Sequence, residues 1–146
     1  MSKIKMTSLY IMGIAYILAG INHFVMPDFY LAMMPPYIPW HKELVLISGL
    51  IEIGLGALLF VPQYRKYAAW GLIIMLLAVF PANFHLALTN GEPLDISPFA
   101  AWARLPIQGL LIGWAWWHTF DKEGKASKAS KPKSNAKPKA KTAKSR

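Results

Sequence analysis

The side chains that could do chemistry in this chain are charged and polar residues set inside long apolar runs. Glu52 lies eight positions past Leu44, which is roughly 12 Å along a helix. Arg104 and Gln108 are four positions apart, so they share one face of a helix. Placing a charged group in hydrocarbon costs free energy, so a charged side chain at this depth indicates a functional or structural role. They predict binding of a polar group, with Arg104 donating hydrogen bonds and Glu52 handling a proton.

Five further polar side chains fall near the same end of the apolar runs. The whole candidate polar pocket consists of Glu52, Arg104, Gln108, Asn83, His23, His85, Asn22 and Ser48. The alternative is a clamp, in which these groups only hold helices together by interhelical contacts. No catalytic residue is identified, and the chain is expected not to be an enzyme by itself.

Cofactor chemistry is narrowed by the residue types that the chain offers. It contains no cysteine, which excludes disulfides, thiol redox chemistry and thiolate ligands. The sequence does not identify a cofactor, and either a quinone headgroup or a small polar ligand fits the chemistry of the polar pocket. A haem held by His23 and His85 from facing helices is the less favoured alternative. No metal site is predicted, because no group of residues has the spacing of a zinc site.

Four apolar runs must position these side chains. The chain has 146 residues, of which 55% are hydrophobic, and its mean hydropathy is +0.32. Each run is near the ~20 residues that cross about 30 Å of hydrocarbon, where only helices satisfy their own backbone groups. The prediction is an all-α protein, an integral membrane four-helix bundle within residues 1–120. Its helices are expected at about 9–25, 44–61, 67–88 and 104–120.

Proline and glycine positions refine the bundle. Four prolines between residues 26 and 43 predict a loop without a long helix, and its aromatic residues predict that this loop lies on the bilayer surface. Pro81 is expected to kink the third helix. Small residues that allow close helix contact within the bundle are Gly13, Gly20, Gly49, Gly56, Gly109 and Gly113.

The distribution of charge predicts the topology. The net charge is +9, but residues 121–146 hold ten of the 16 Lys and Arg residues. The positive-inside rule places both termini and the second loop, which carries Arg65 and Lys66, in the cytoplasm, as expected of a multi-pass protein of the plasma membrane. Residues 121–146 are predicted to be a disordered basic tail, which is solvated or contacts anionic lipids; nucleic acid is disfavoured as a partner.

Several short motifs resemble those of the small DoxX-like membrane proteins. They are Ala19-Gly20-Ile21-Asn22-His23-Phe24, Ser48-Gly49-Leu50-Ile51-Glu52, Phe80-Pro81-Ala82-Asn83 and Arg104-Leu105-Pro106-Ile107-Gln108. The resemblance covers residues 10–117. It implies a four-helix protein of the bacterial inner membrane. Some relatives are associated with sulfur or quinone redox systems, often as accessory subunits.

Three functions are expected from these observations. The leading one is an accessory or redox-associated membrane component with a small polar intramembrane pocket. The second is a small proton-coupled transporter in which Glu52 titrates. The third is a purely structural bundle that binds a membrane protein partner or a second copy of itself.

Overall fold

The computed structural model describes residues 1–120 and confirms the all-α prediction. The chain forms five α-helices in this part rather than four, together with one 3-10 helix at Glu92–Leu94. The α-helices are α1 (Lys3–Val25), α2 (Pro27–Met33), α3 (His41–Leu58), α4 (Arg65–Leu88) and α5 (Pro98–His118). The four long helices overlap the four apolar runs. The predicted basic tail, residues 121–146, lies outside the described residues.

The helix that the sequence did not predict is α2, which has seven residues. Proline opens it at Pro27, where the missing N–H is not needed because the first helical N–H groups have no partner within the helix. The helix stops before Pro35 and Pro36. These prolines prevent a long helix, as expected, but they leave room for two turns.

Helices α1 and α3 pack closely because glycine removes the side chain at each crossing point. A Cβ atom added at Gly20 would lie 2.5 Å from the backbone oxygen of Gly49. A Cβ atom added at Gly13 would lie 3.0 Å from the backbone oxygen of Gly56. The two pairs are seven residues apart on each helix, so they lie two turns apart along one contact line.

The glycines of α5 behave differently. A Cβ atom added at Gly109 or Gly113 would meet nothing within 4 Å in the described residues. The expectation of close helix contact within the bundle is therefore wrong for this pair. Helix α5 instead packs on α4, and buried Ala115 joins Leu9 and Leu72 in the largest apolar core.

Two helices, α1 and α4, are long and apolar enough to cross a membrane by length and composition. Each helix contains an apolar stretch of 18 residues, of which only 28% is buried inside the protein in α1 and 33% in α4. Large apolar side chains point outward along the long helices, such as Leu18, Leu50, Ile74 and Leu110, all at least half exposed.

Candidate functional site

The predicted polar residues fall into two clusters rather than one. The first, here called the closed cluster, joins α1 to α3 through His23, Ser48 and Glu52. Nε2 of His23 lies 3.1 Å from Oε2 of Glu52. On the other side of the ring, Nδ1 of His23 lies 2.8 Å from the backbone oxygen of Val45 and 3.1 Å from Oγ of Ser48. The His23 and Glu52 side chains are 9% and 13% exposed, so water reaches them little.

The geometry of the closed cluster fixes its protonation. The carbonyl oxygen of Val45 only accepts hydrogen bonds, so Nδ1 of His23 must carry a proton and donate it. A neutral ring would then present the lone pair of Nε2 to Glu52. The close approach therefore requires one further proton, held either by Nε2 or by the Glu52 carboxyl group. In both cases His23 and Glu52 together are electrically neutral.

The second cluster, here called the groove cluster, joins α4 to α5 through Asn83, Arg104 and Gln108. Nε of Arg104 donates to Oδ1 of Asn83 at 3.4 Å, and Nδ2 of Asn83 donates to Oε1 of Gln108 at 3.1 Å. Nε2 of Gln108 donates to the backbone oxygen of Leu76. Each amide thus accepts at its oxygen and donates at its nitrogen, which orients the whole chain of hydrogen bonds.

A cavity of about 310 Å³ lies beside the groove cluster. Its lining residues are Leu76, Asn83, Arg104, Ile107, Gln108 and Leu111. Ile107 is 52% exposed, so the cavity opens to the outside of the bundle rather than into the core. Proline lies within both helices here, at Pro81 of α4 and Pro106 of α5. A proline inside a helix removes one backbone hydrogen bond, which favours a bend and an opening between the helices.

Helix α2 lies between the two clusters and contacts both. The Tyr30 ring stacks on the His23 ring with 3.7 Å between centroids, and the Tyr30 hydroxyl accepts a hydrogen bond of 2.9 Å from Nδ2 of Asn22. On the other side, Arg104 lies over the Phe29 ring at 5.9 Å. Two neighbouring residues of α2 therefore contact one cluster each.

Glu52 and Arg104 are consequently in different clusters. Within residues 1–120, the ion-pair partner of Glu52 is His23, and the hydrogen-bond acceptors of Arg104 are Asn83 and the sulfur of Met33. His85 is half-buried near the end of α4, and no contact within the described part links its side chain to either cluster. The structure thus places six of the eight predicted residues in two clusters, while Asn22 is linked to His23 through Tyr30.

Some polar residues received little weight from the sequence and prove to be buried. The Tyr16 side chain is 7% exposed, and its hydroxyl has no hydrogen-bond partner in the described part of the chain. His118 is fully buried and lies 3.2 Å from the Ser8 hydroxyl. Arg65 is 4% exposed and donates to the backbone oxygen of Leu59, although its sequence position suggests a solvated loop charge. Arg65 and His118 lie at helix ends, where no sequence signal distinguishes buried residues from exposed ones, and Tyr16 lies in the middle of an apolar run that gives its hydroxyl no predicted partner.

Comparison with known proteins places the chain in a family but gives it no activity. A family model described as a domain of unknown function (DUF8561) matches residues 12–119, which is most of the chain. The chain belongs to this family. No curated protein and no solved structure matches it.

Proposed function

We propose that this DUF8561 family member is a multi-pass integral membrane protein of DoxX-like type that binds the polar head of a lipophilic molecule. The binding site is the cavity beside Asn83, Arg104 and Gln108. The protein acts as an accessory component, which holds a ligand for a partner and carries out no bond-breaking step itself. The observation that carries the proposal is a cavity that opens outward between α4 and α5 and is lined by Asn83, Arg104 and Gln108 together with three apolar residues.

A membrane location is supported by the outward-facing side chains. A core helix of a soluble protein is mostly buried, whereas only about a third of the apolar stretch of α1 and of α4 is buried. Burying an exposed Leu or Ile side chain gains about 1.5–3 kcal/mol, so many such residues in water would drive aggregation. Lipid removes this cost. Helices α3 and α5 are then the other two spans, with Ser48 and Glu52 of α3 in the closed cluster and Arg104 and Gln108 of α5 in the groove cluster.

Single-cysteine labelling tests the membrane topology cleanly, because the natural chain contains no cysteine. Cysteine is introduced at Asn90 in the α4–α5 loop or at Gln63 in the α3–α4 loop, and intact cells are treated with a membrane-impermeant maleimide. We expect labelling at position 90 and none at position 63 until the membrane is broken. Labelling of both positions in intact cells, or release of the protein by alkaline washing, contradicts the proposal.

The ligand role is supported by the donors that the groove cluster presents. Arg104 carries five N–H donors, and the described contacts use Nε and one Nη2 hydrogen, the latter on sulfur, which is a weak acceptor. Donors therefore remain for an oxygen of the ligand. A quinone carbonyl or a charged head fits this chemistry, while Ile107 and Leu111 contact its apolar part.

Purification in a mild neutral detergent, followed by a visible spectrum and extraction of bound lipophilic molecules, tests the ligand role. We expect wild type to retain a lipophilic molecule in fixed ratio and Arg104→Gln to lose it. Lys42→Gln is the matched control, since it removes one exposed positive charge from the start of α3. Equal retention by all three proteins contradicts the proposal, and a haem spectrum replaces it with a haem-binding role.

A second candidate is a proton-coupled carrier that uses the closed cluster. It is supported by the shared proton of His23 and Glu52 and by the buried Tyr16 hydroxyl, which lies within electrostatic reach of Glu52. Reconstituted vesicles should then show pH-driven flux that Glu52→Gln abolishes. Flux that is unchanged in this variant, or no flux in wild type, rejects the carrier.

A further inference from the structure

We infer that the head bound beside Arg104 is an anionic phosphate of a membrane lipid rather than an uncharged head such as a quinone. This inference rests on the proposed binding role of the cavity and names the charge of its ligand. It comes from the charges on the two clusters.

No carboxylate within residues 1–120 pairs with the guanidinium of Arg104. Within residues 1–120, its contacts are with the Asn83 amide, the Met33 sulfur and the Phe29 ring, none of which carries a negative charge. Arg104 is half-buried, and arginine stays protonated in proteins. A positive charge that is partly removed from water needs a counter-charge.

Glu52 does not supply that counter-charge. It lies against His23, and the pair shares one proton, so the closed cluster is neutral as a whole. The other acidic residues before position 121 are exposed, at Asp28, Glu43, Glu92 and Asp95, and none of them pairs with Arg104. The groove cluster therefore retains a full positive charge.

A phosphate group fits this charge and these donors. Guanidinium groups bind phosphate through two parallel hydrogen bonds, and the remaining N–H groups of Arg104 can provide such a pair. An uncharged carbonyl accepts hydrogen bonds but leaves the charge uncompensated. The source is a lipid rather than a soluble phosphate, because Ile107 and Leu111 give the cavity an apolar wall that acyl chains would cover.

Binding of short-chain lipids to the full-length protein in neutral detergent tests the inference. The probes are dioctanoyl phosphatidylglycerol, dioctanoyl phosphatidylcholine and a short-chain quinone, and the variants are Arg104→Gln, Arg104→Lys and Lys42→Gln. We expect phosphatidylglycerol to bind more tightly than the quinone, which is uncharged, and than phosphatidylcholine, whose choline cation offsets the charge of its phosphate. Arg104→Gln should weaken it by about tenfold or more, since a charge-assisted hydrogen bond is lost, with Arg104→Lys intermediate. Lys42→Gln should stay within about twofold.

The possible outcomes separate this inference from the proposed function. If Arg104→Gln weakens binding of the quinone but phosphatidylglycerol shows no binding that depends on Arg104, the inference of an anionic head is wrong, while the proposed binding role still holds. If Arg104→Gln weakens the binding of none of the three probes, both the inference and the proposed function are wrong. Competition by glycerol phosphate at the concentration at which the lipid binds overturns the lipid source. Circular dichroism and the thermal midpoint are measured for Arg104→Gln as well as Arg104→Lys, and values close to wild type show that a loss of binding is not caused by unfolding.

Discussion

The α1–α3 pair and the α4–α5 pair are both apolar helix hairpins with a polar cluster near one end, yet they are built differently. Glycine pairs bring α1 against α3, so the polar side chains between them contact one another directly. No glycine draws α4 and α5 together within the described residues, and prolines interrupt both helices beside a cavity of about 310 Å³.

This contrast separates two roles that the polar residues could have. The closed cluster is neutral and shielded from water, which suits a clamp between helices. The groove cluster is positively charged and opens outward, which suits a binding site. A polar residue inside an apolar helix can therefore serve either role, and the space beside it decides which.

The largest expected effect is on the close contact of α1 with α3. In Gly20→Ala, the new methyl group would lie 2.5 Å from the Gly49 oxygen and 2.7 Å from Cγ1 of Ile53. The helices must separate, which should lower the free energy of unfolding by about 3 kcal/mol. Denaturation in mixed detergent micelles measures this. A loss below about 1 kcal/mol would show that the contact is not tight.

The next effect concerns the clamp role of the closed cluster. Glu52→Gln removes the carboxylate that faces His23, so we expect a loss of about 2 kcal/mol in the free energy of unfolding. Glu43→Gln, at an exposed position of the same helix, is the control and should change little. Lipid binding in the groove should be unaffected by either change. If Glu52→Gln weakens that binding instead, the two clusters act as one site.

A smaller effect should follow from the contact of α2 with the closed cluster. Tyr30→Phe keeps the ring that stacks on His23 but removes the hydroxyl that accepts from Asn22. The expected loss is about 1 kcal/mol in the same denaturation measurement. Tyr37→Phe is the matched control, because the Tyr37 side chain is 72% exposed. An equal response of both variants would argue that α2 does not rest on the cluster.

The smallest effect is expected on the outer face of α5. A methyl group at Gly109 would meet nothing within 4 Å in the described residues. Gly109→Ala should therefore not lower the free energy of unfolding, and the better helix propensity of alanine should raise it by about 0.5 kcal/mol or slightly more, in contrast to Gly20→Ala. A large loss, together with a change of mass in cross-linking or light scattering, would show that this face contacts a second copy of the chain.

The sequence predicted the long helices better than the short one. Periodic apolar runs indicate α1, α3, α4 and α5 strongly, because their length and composition leave few alternatives. Helix α2 was missed because Pro27, Pro35 and Pro36 read as loop signals, and only the position of Pro27 in the first turn makes seven helical residues possible. The sequence did not predict that Phe29 contacts Arg104 or that Tyr30 stacks on His23.

The sequence by itself determined that the described chain is all-α. It also identified the polar residues within apolar runs, whose burial in hydrocarbon would be costly without a structural or functional role. Only the tertiary structure decided how those residues are grouped. Spacing along one helix shows which side chains share a face, as for Arg104 and Gln108, but partners on different helices depend on which helices pack together. Glu52 faces His23 because glycine contacts bring α1 to α3, and Arg104 faces Asn83 because α5 packs on α4.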